Sequence, residues 1–332
     1  MTPLSFDVVI PTVGRPTLNE LLRGLGDCAG PQPALILIVC DGVDASAVSV
    51  DGVARWVAAR CRVMTTRGRG PAATRNAGWS ASRAEWIVFL DDDVVPAPDW
   101  LTQLGADLQS AASGVAGSQG RIVVPLPSTR PPTDWERNVG GLERARWATA
   151  DMAYRRRVLE ELGGFDERFM RAYREDAEFG LRVMKAGYDI VEGSRTVVHP
   201  VRPADRWVSV RLQSGNADDA MMRALHGRSW REDAGAPRGR RSRHLVVAGS
   251  AVVAAIGVLL GRRRIAATGA LTWAAGTAEL AWARIRPGPR TADEVIAMAL
   301  SSVVLPIAAT WHWIGGVVRA HRLVKRPGMP LR

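Results

Sequence analysis

Residues 86–96 read WIVFLDDDVVP: a run of large apolar side chains with no polar alternation, then three aspartates, then a proline. An uninterrupted β-branched and aromatic run of this length predicts a strand buried on both faces, as in a parallel sheet. Working outward, the same kind of run recurs at Phe6–Pro11 (FDVVIP), at Ala34–Cys40 (ALILIVC) and at Cys61–Thr65. Helical spacing fills the intervals, at Leu18–Leu25, at Asp51–Arg60, and at Pro71–Ser82 after the glycine-rich Arg67-Gly-Arg-Gly-Pro. Repeated β-α-β units predict a doubly wound α/β sheet, whose ligands sit at the carboxyl ends of its strands. Asp41 and Asp91-Asp92-Asp93 both fall at such ends.

The later elements are predicted at Ala148–Arg155, at Arg157–Leu162, and as a helix from about Glu175 to Ala186 after the turn Gly163-Gly-Phe-Asp-Glu. Residues 203–233 read as one further helix, and 234–243 as a basic linker. Residues 125–147 are rich in proline, glycine and charge, and are expected to form a long mobile loop of the kind that serves as a lid.

The chain has 332 residues and a formal net charge of +11. That charge is not spread evenly. Residues 238–332 carry 15 basic and 3 acidic side chains, whereas residues 1–237 carry 29 and 30. The basic part is also the apolar part, with stretches at Leu245–Gly261, Ile265–Ala283 and Val295–Val318. Basic clusters at 238–243, 262–264, 284–290 and 319–326 flank them. Apolar runs with basic flanks point to an anionic membrane, and exclude nucleic acid as the partner that explains the charge. The expected organisation is a globular domain over 1–237 and a membrane-attachment region of two to three helices over 238–332. Were all three apolar stretches to span, Arg262-Arg263-Arg264 would lie outside, against the positive-inside tendency. A shallow hairpin of the first two would avoid that.

Cys28, Cys40 and Cys61 show neither metal spacing nor a disulfide framework, as expected of a reducing compartment. The first residues, Met1-Thr-Pro-Leu-Ser-Phe-Asp, have no basic segment followed by an apolar one, so the globular part is expected on the cytoplasmic side of the cell membrane.

Three acids at the end of a buried strand repel one another and lose hydration, so positive charge is needed beside them. A divalent cation held by hard oxygens, Mg²⁺ or Mn²⁺, would supply it and bridge to substrate phosphates. Glu175-Asp176 opens a helix. Acids there serve as dipole partners or, if one faces a cleft, as a general base toward a hydroxyl. His199, in Thr196-Val-Val-His-Pro, ends another strand-like run and could add an imidazole ligand.

Taken together, VVIPTVGRP (8–16), LIVCDG (37–42), ATRNAG (73–78), WIVFLDDDVVP (86–96), ADMAYRRRVLEELGGFDERF (150–169), REDAEFGLRVMKAGYDI (174–190) and TVVHP (196–200) resemble glycosyltransferase family 2 over about residues 5–200. The resemblance implies the GT-A fold, a nucleotide-binding α/β half joined to an acceptor-binding half. It places Pro11, Thr12 and Asp41 on the nucleotide, Arg75 and Asn76 near the diphosphate, and Asp91 and Asp92 on the nucleotide-sugar. Asp93, with Asp91 and His199, would hold the metal. Asp176 would be the catalytic base, with Glu175 its neighbour. Two positions depart from the pattern: Cys40 stands before Asp41 where a second acid is usual, and Asp151 stands where asparagine is common. The implied reaction is metal-dependent glycosyl transfer with inversion, from a nucleotide-sugar donor to a hydroxyl of a lipid-linked or cell-envelope glycan acceptor. A sugar-phosphate nucleotidyltransferase would need a phosphate loop richer in glycine than VVIPTVGRP, and a catalytically silent nucleotide-sugar scaffold would not need both Asp93 and Asp176.

Overall fold

The computed structural model describes residues 4–324. One mixed eight-stranded sheet runs in the order β3-β2-β1-β4-β7-β6-β8-β5. Its parallel half comprises β1 (Phe6–Thr12), β2 (Ile36–Asp41), β3 (Cys61–Thr66) and β4 (Trp86–Leu90). These are the strands that the apolar runs predict. Alternate residues serve opposite faces. Val8, Ile10, Ile36, Ile38, Val88 and Leu90 pack on one side. The helices there are α1 (Thr17–Asp27), α2 (Arg55–Arg60) and α4 (Trp100–Ser110). Val9, Leu37, Val39, Ile87 and Phe89 pack on the other side. There the cover is α3 (Pro71–Ala81), α6 (Arg156–Leu162) and α7 (Glu175–Lys185).

The second half of the sheet is built from β5 (Val95–Pro96), β6 (Val115–Val123), β7 (Asp151–Arg155) and β8 (Asp189–Val198). β7 runs antiparallel to β4, and β6 joins β7 to β8. The two-residue β5 pairs antiparallel with the end of β8, Val95 opposite Val198. That short pairing brings the residue after β8 to the residues after β4.

Three expectations need correction. Asp51–Arg60 is helical only from Arg55, because Gly52 takes a left-handed turn (φ 70°). Residues 203–233 are not one helix: α8 (Val208–Arg211), a 3₁₀ turn at Leu212–Gly215, α9 (Asn216–His226) and α10 (Trp230–Asp233) succeed one another. The 125–147 stretch is not a free loop. It contains α5 (Asp134–Gly140), opened by a capping box in which the Thr133 hydroxyl accepts from Glu136 N and the Glu136 carboxylate accepts from Thr133 N. A 3₁₀ turn follows at Gly141–Arg144, and Val139 and Trp147 are buried.

The three apolar C-terminal stretches are helices: α11 (Arg241–Leu259), α12 (Arg263–Ile285) and α13 (Ala292–Val324). Of the basic cluster 319–326, Lys325 and Arg326 lie outside the described residues. α11 and α12 form a tight antiparallel pair, closed at its open end by Arg240 and Arg243 on Glu279. By length and composition, α11 and α13 could each cross a membrane, with a mean hydropathy of 1.7 in the most apolar window of either helix. The globular part and the C-terminal helices are packed together. Arg284, near the end of α12, donates to Asp134 Oδ2 (2.8 Å), Ser209 Oγ (2.7 Å), Ser301 Oγ (2.8 Å) and Ser302 Oγ (3.1 Å).

Candidate active site

The parallel strands β1, β2 and β4 end at Thr12, Asp41 and Leu90, so the polar residues there share one edge of the sheet. Asp91 leaves β4 partly exposed (32 %), and its Oδ1 accepts from Arg75 Nη2 at 2.8 Å. Arg75 Nη1 donates to Glu175 Oε1 at 2.7 Å. One buried guanidinium therefore holds the aspartate cluster and the α7 acids together. This is the central fact of the site, because the two clusters are far apart in sequence. Arg75 is expected near a diphosphate, but both its terminal nitrogens are engaged by carboxylates, and only Nε lacks a partner.

Glu175 is almost wholly buried, and its Oε2 has no hydrogen-bond partner among the described residues. Burial raises its carboxyl to about 7, against the opposing pull of Arg75 and helped by the neighbouring charge of Asp176. Asp176 is half-buried, and its Oδ1 accepts from Ala177 N at 2.7 Å. Burial also raises Asp176 above the ordinary carboxylate value, with Asp91 adding to the effect while Ala177 N, Arg75 and Arg174 oppose it. Arg174, immediately before α7, is held in the left-handed region (φ 77°) and donates from Nε to Asp219 Oδ1 at 2.9 Å. Non-glycine residues in that conformation carry strain that the surroundings must enforce.

Asp92 and Asp93 face elsewhere. Asp92 Oδ2 accepts from the Thr12 hydroxyl (2.6 Å) and Oδ1 from Arg15 Nη1 (2.7 Å), so its carboxylate is committed to organising the end of β1. Pro11 lies in the same strand, half-buried. Asp93 is buried. His199 Nε2 lies 3.4 Å from its Oδ1, and Arg202 Nη2 lies 3.0 Å from its Oδ2. Burial and the charge of Asp91 raise the Asp93 carboxyl, while His199 and Arg202 lower it.

Among the described residues, no three ligating side chains already converge as a complete metal cluster. The donor set nevertheless fits a hard divalent cation. Asp93 is a buried carboxylate beside two further acids, and the His199 ring stands against it with Nδ1 unpartnered. Asp93 and His199, with Asp91 at the rim, are the residues that would hold the ion.

Asp41 and Asn76, both expected at the donor, also brace the fold. Asp41 accepts from Thr66 Oγ1 (2.6 Å), Arg69 N (3.0 Å) and Gly70 N (2.8 Å), fixing the turn into α3. Gly70 has φ 88°, and a Cβ there would stand 2.5 Å from Met170 O, so the turn admits only glycine. Asn76 is engaged on the other side of α3 by the 163–167 turn. Its amide donates to Phe165 O and Glu167 Oε1, and its Oδ1 accepts from Phe165 N and Trp79 Nε1. These bonds pin the 163–167 turn to α3.

Sequence reasoning missed Arg15 and Arg202, which join Arg75 as cations on the aspartate cluster. Arg202 stands three residues past His199, a placement that marks it once His199 is suspected. Asp151, where asparagine is common, proves to be an interior ion. It accepts from Trp100 Nε1 (2.7 Å) and pairs with the fully buried Arg195 (2.7 Å).

Comparison with known proteins agrees with this arrangement. A family model described as Glycosyl transferase family 2 matches residues 7–179, more than half of the chain. The O-antigen biosynthesis protein RfbC of Myxococcus xanthus is 30% identical over 173 residues, covering 40% of this chain and 13% of that protein. Pre-mycofactocin glycosyltransferase of Mycobacterium tuberculosis is 28% identical over 192 residues, covering 53% of this chain and 39% of that protein. The chain thus spans well under half the length of these curated relatives. A crystal structure of GalNAc-T7 with UDP, GalNAc and Mn2+ superposes with a TM-score of 0.47 at 17% identity, over 70% of this chain and 55% of that one. With its acid-tipped β4, the acids opening α7 and a family match from β1 into α7, the chain belongs to glycosyltransferase family 2.

Proposed function

We propose that the chain transfers a sugar, with inversion and with a divalent cation, from a nucleotide-sugar to a hydroxyl of a lipid-linked or cell-envelope glycan at the cytoplasmic face of the cell membrane. The observation that carries this reading is the Arg75 bridge between Asp91 and Glu175, which brings the acids after β4 beside the acids that open α7.

In this reading Asp176 is the base. Ionised, it takes the proton of the acceptor hydroxyl as that oxygen forms its bond to the anomeric carbon. The bond from that carbon to the diphosphate breaks on the opposite face, and the electron pair leaves with the nucleoside diphosphate. Glu175 lies too deep to reach an acceptor; it holds Arg75, and through Arg75 it orients Asp91. Asp93 and His199 would hold the cation, which when bound supplies positive charge to the departing diphosphate. Arg202, already on Asp93, is the protein's own cation at that position. Thr12, fixed by Asp92, and Pro11 shape the nucleotide end of the cleft. Residues 1–237 perform the transfer, and residues 238–332 attach the protein to the membrane, where tethering concentrates a lipid-borne acceptor.

Release of nucleoside diphosphate from a panel of nucleotide-sugars with Mn²⁺ tests this. At least one donor is expected to be turned over. Asp93→Ala is expected to lose metal-dependent turnover. Asp176→Asn is expected to lower kcat by about 100-fold or more while leaving donor affinity nearly unchanged. Full transfer by Asp176→Asn would remove the base assignment, and metal-independent turnover equal in Asp93→Ala and the unmodified chain would remove the cation.

A further inference from the structure

The longest apolar helix does not stand free of the globular part. At its start, Glu294 Oε1 accepts from Asp134 N at 2.8 Å. Further along, Ser301 and Ser302 receive Arg284, which also holds Asp134 and Ser209. Gly316 lies so close to α9 that a Cβ there would stand 2.5 Å from Ala217 Cα. At the far end, Arg319 Nη2 donates to Asp218 Oδ1 (3.1 Å) and Arg168 O (3.2 Å). From Glu294 to Arg319 is about 38 Å at the α-helical rise, longer than the roughly 30 Å hydrocarbon core of a bilayer. Along that length α13 packs on α8, the Leu212–Gly215 turn and α9 of the globular part, and also on α11 and α12. For α13 to cross a bilayer, α9 with its buried Asp218 and Asp219 would have to cross with it.

The opposite face tells what covers it. Ile296, Leu300, Val304, Ile307, Trp311 and Ile314 are all exposed, Trp311 at 74 %, and recur at three- and four-residue spacing. No Asp, Glu, Lys or Arg interrupts 295–318. Exposed Arg286 and Arg290 precede the helix, and exposed Arg322 lies in its last turn. The docked face mixes small, polar and apolar side chains (Met298, Ser301, Ser302, Leu305, Ala309, Gly316), whereas the outer face is large and apolar, with Arg286 and Arg290 before the helix, Asp293 in its first turn and Arg322 in its last. Cationic ends complement anionic headgroups, and a lengthwise apolar stripe fits the headgroup–acyl boundary.

We propose that α13 lies along the surface of an anionic bilayer rather than across it, with its outer stripe in lipid. This rests on the membrane reading given above and sharpens it. α8, packed on α13, is joined to His199 by residues 200–207, so the metal-side edge of the site is tied directly to the lipid-facing surface.

The test uses the full chain in sealed membrane vesicles of one sidedness, in a Cys61→Ser background, with an impermeant maleimide. Single cysteines are placed at Asp293, at Arg322, and at exposed Glu20 of the globular part as a side marker. Both α13 positions are expected to label from the same side as Glu20→Cys. Protection of one end while the other labels would overturn the in-plane helix and leave membrane attachment standing. Failure of the protein to sediment with membranes would remove the membrane reading itself. Quenching by brominated phosphatidylglycerol gives a second readout. Bromine near the head of the acyl chain is expected to quench the unmodified chain more than Trp311→Phe. Equal quenching of the two, or a stripe that pairs two copies of the chain, would overturn the proposal.

Discussion

At the scale of single residues, the site is organised by one arginine. Arg75 is almost fully buried, and burial alone would disfavour its charge, but Asp91 and Glu175 raise its pKa instead. The charge balance around it sets a pH dependence. In the proposed reaction Asp176 must be ionised to accept a proton, and both it and Glu175 are raised, Glu175 to about 7. The rate of transfer is therefore expected to rise with pH, along a limb lying above the ordinary carboxylate range and belonging to the pair. Glu175→Gln removes a negative neighbour, so Asp176 ionises more easily and the limb moves to lower pH. A kcat/KM profile shows this; a limb that stays put, or moves up, contradicts it. The Asp151–Arg195 pair is a different kind of site, wholly interior. Asp151→Asn leaves a buried guanidinium short of charge and is expected to cost about 3 kcal/mol, read as a fall in the thermal melting point. The acids themselves were legible in the sequence, because strand ends and helix starts follow from local pattern. That Asn76 and Asp41 brace the fold was not, because only packing reveals which hydrogen bonds a side chain has already made.

At the scale of elements, residues 125–147 carry the main lesson. Proline, glycine and charge suggested a mobile loop, yet Thr133-Asp-Trp-Glu136 is a capping-box sequence and does start a helix. Tertiary contacts then hold α5. Asp134 binds Arg284, Arg137 Nη2 donates to Arg284 O (2.8 Å), and Trp135 Nε1 donates to Arg202 O (2.7 Å). α5 thus links the C-terminal helices to the cation on Asp93. Asp134→Asn weakens the Arg284 contact and is expected to make 125–147 a preferred site of limited proteolysis several-fold faster than in the unmodified chain. Unchanged cleavage would mean that this ion pair contributes nothing to the order of α5. In the 203–233 stretch the single expected helix is divided by the 3₁₀ turn at Leu212–Gly215 and by Gly227 (φ 85°), which ends α9.

At the scale of the whole molecule, the globular part and the C-terminal helices share contacts. Ala320 of α13 joins Trp147, Phe169, Leu181 and Met221 in one buried cluster, and Arg319 supplies charge to the buried Asp218. A chain ending at residue 237 would expose that cluster and leave Asp218 with Arg171 alone. It is expected to bind a hydrophobic dye and aggregate, as light scattering would show; a monodisperse, dye-free fragment would mean the C-terminal helices lend the globular part no support. By itself, the amino-acid order determined the buried parallel strands, the acids at their tips, the acids opening α7, and a basic apolar C-terminus. Each of these is a matter of local period and charge. Only the three-dimensional fold decided that Arg75 joins the two acid clusters, that α5 is clasped, and that α13 is docked along its length, because each depends on contacts between residues far apart in the chain, which no local period encodes.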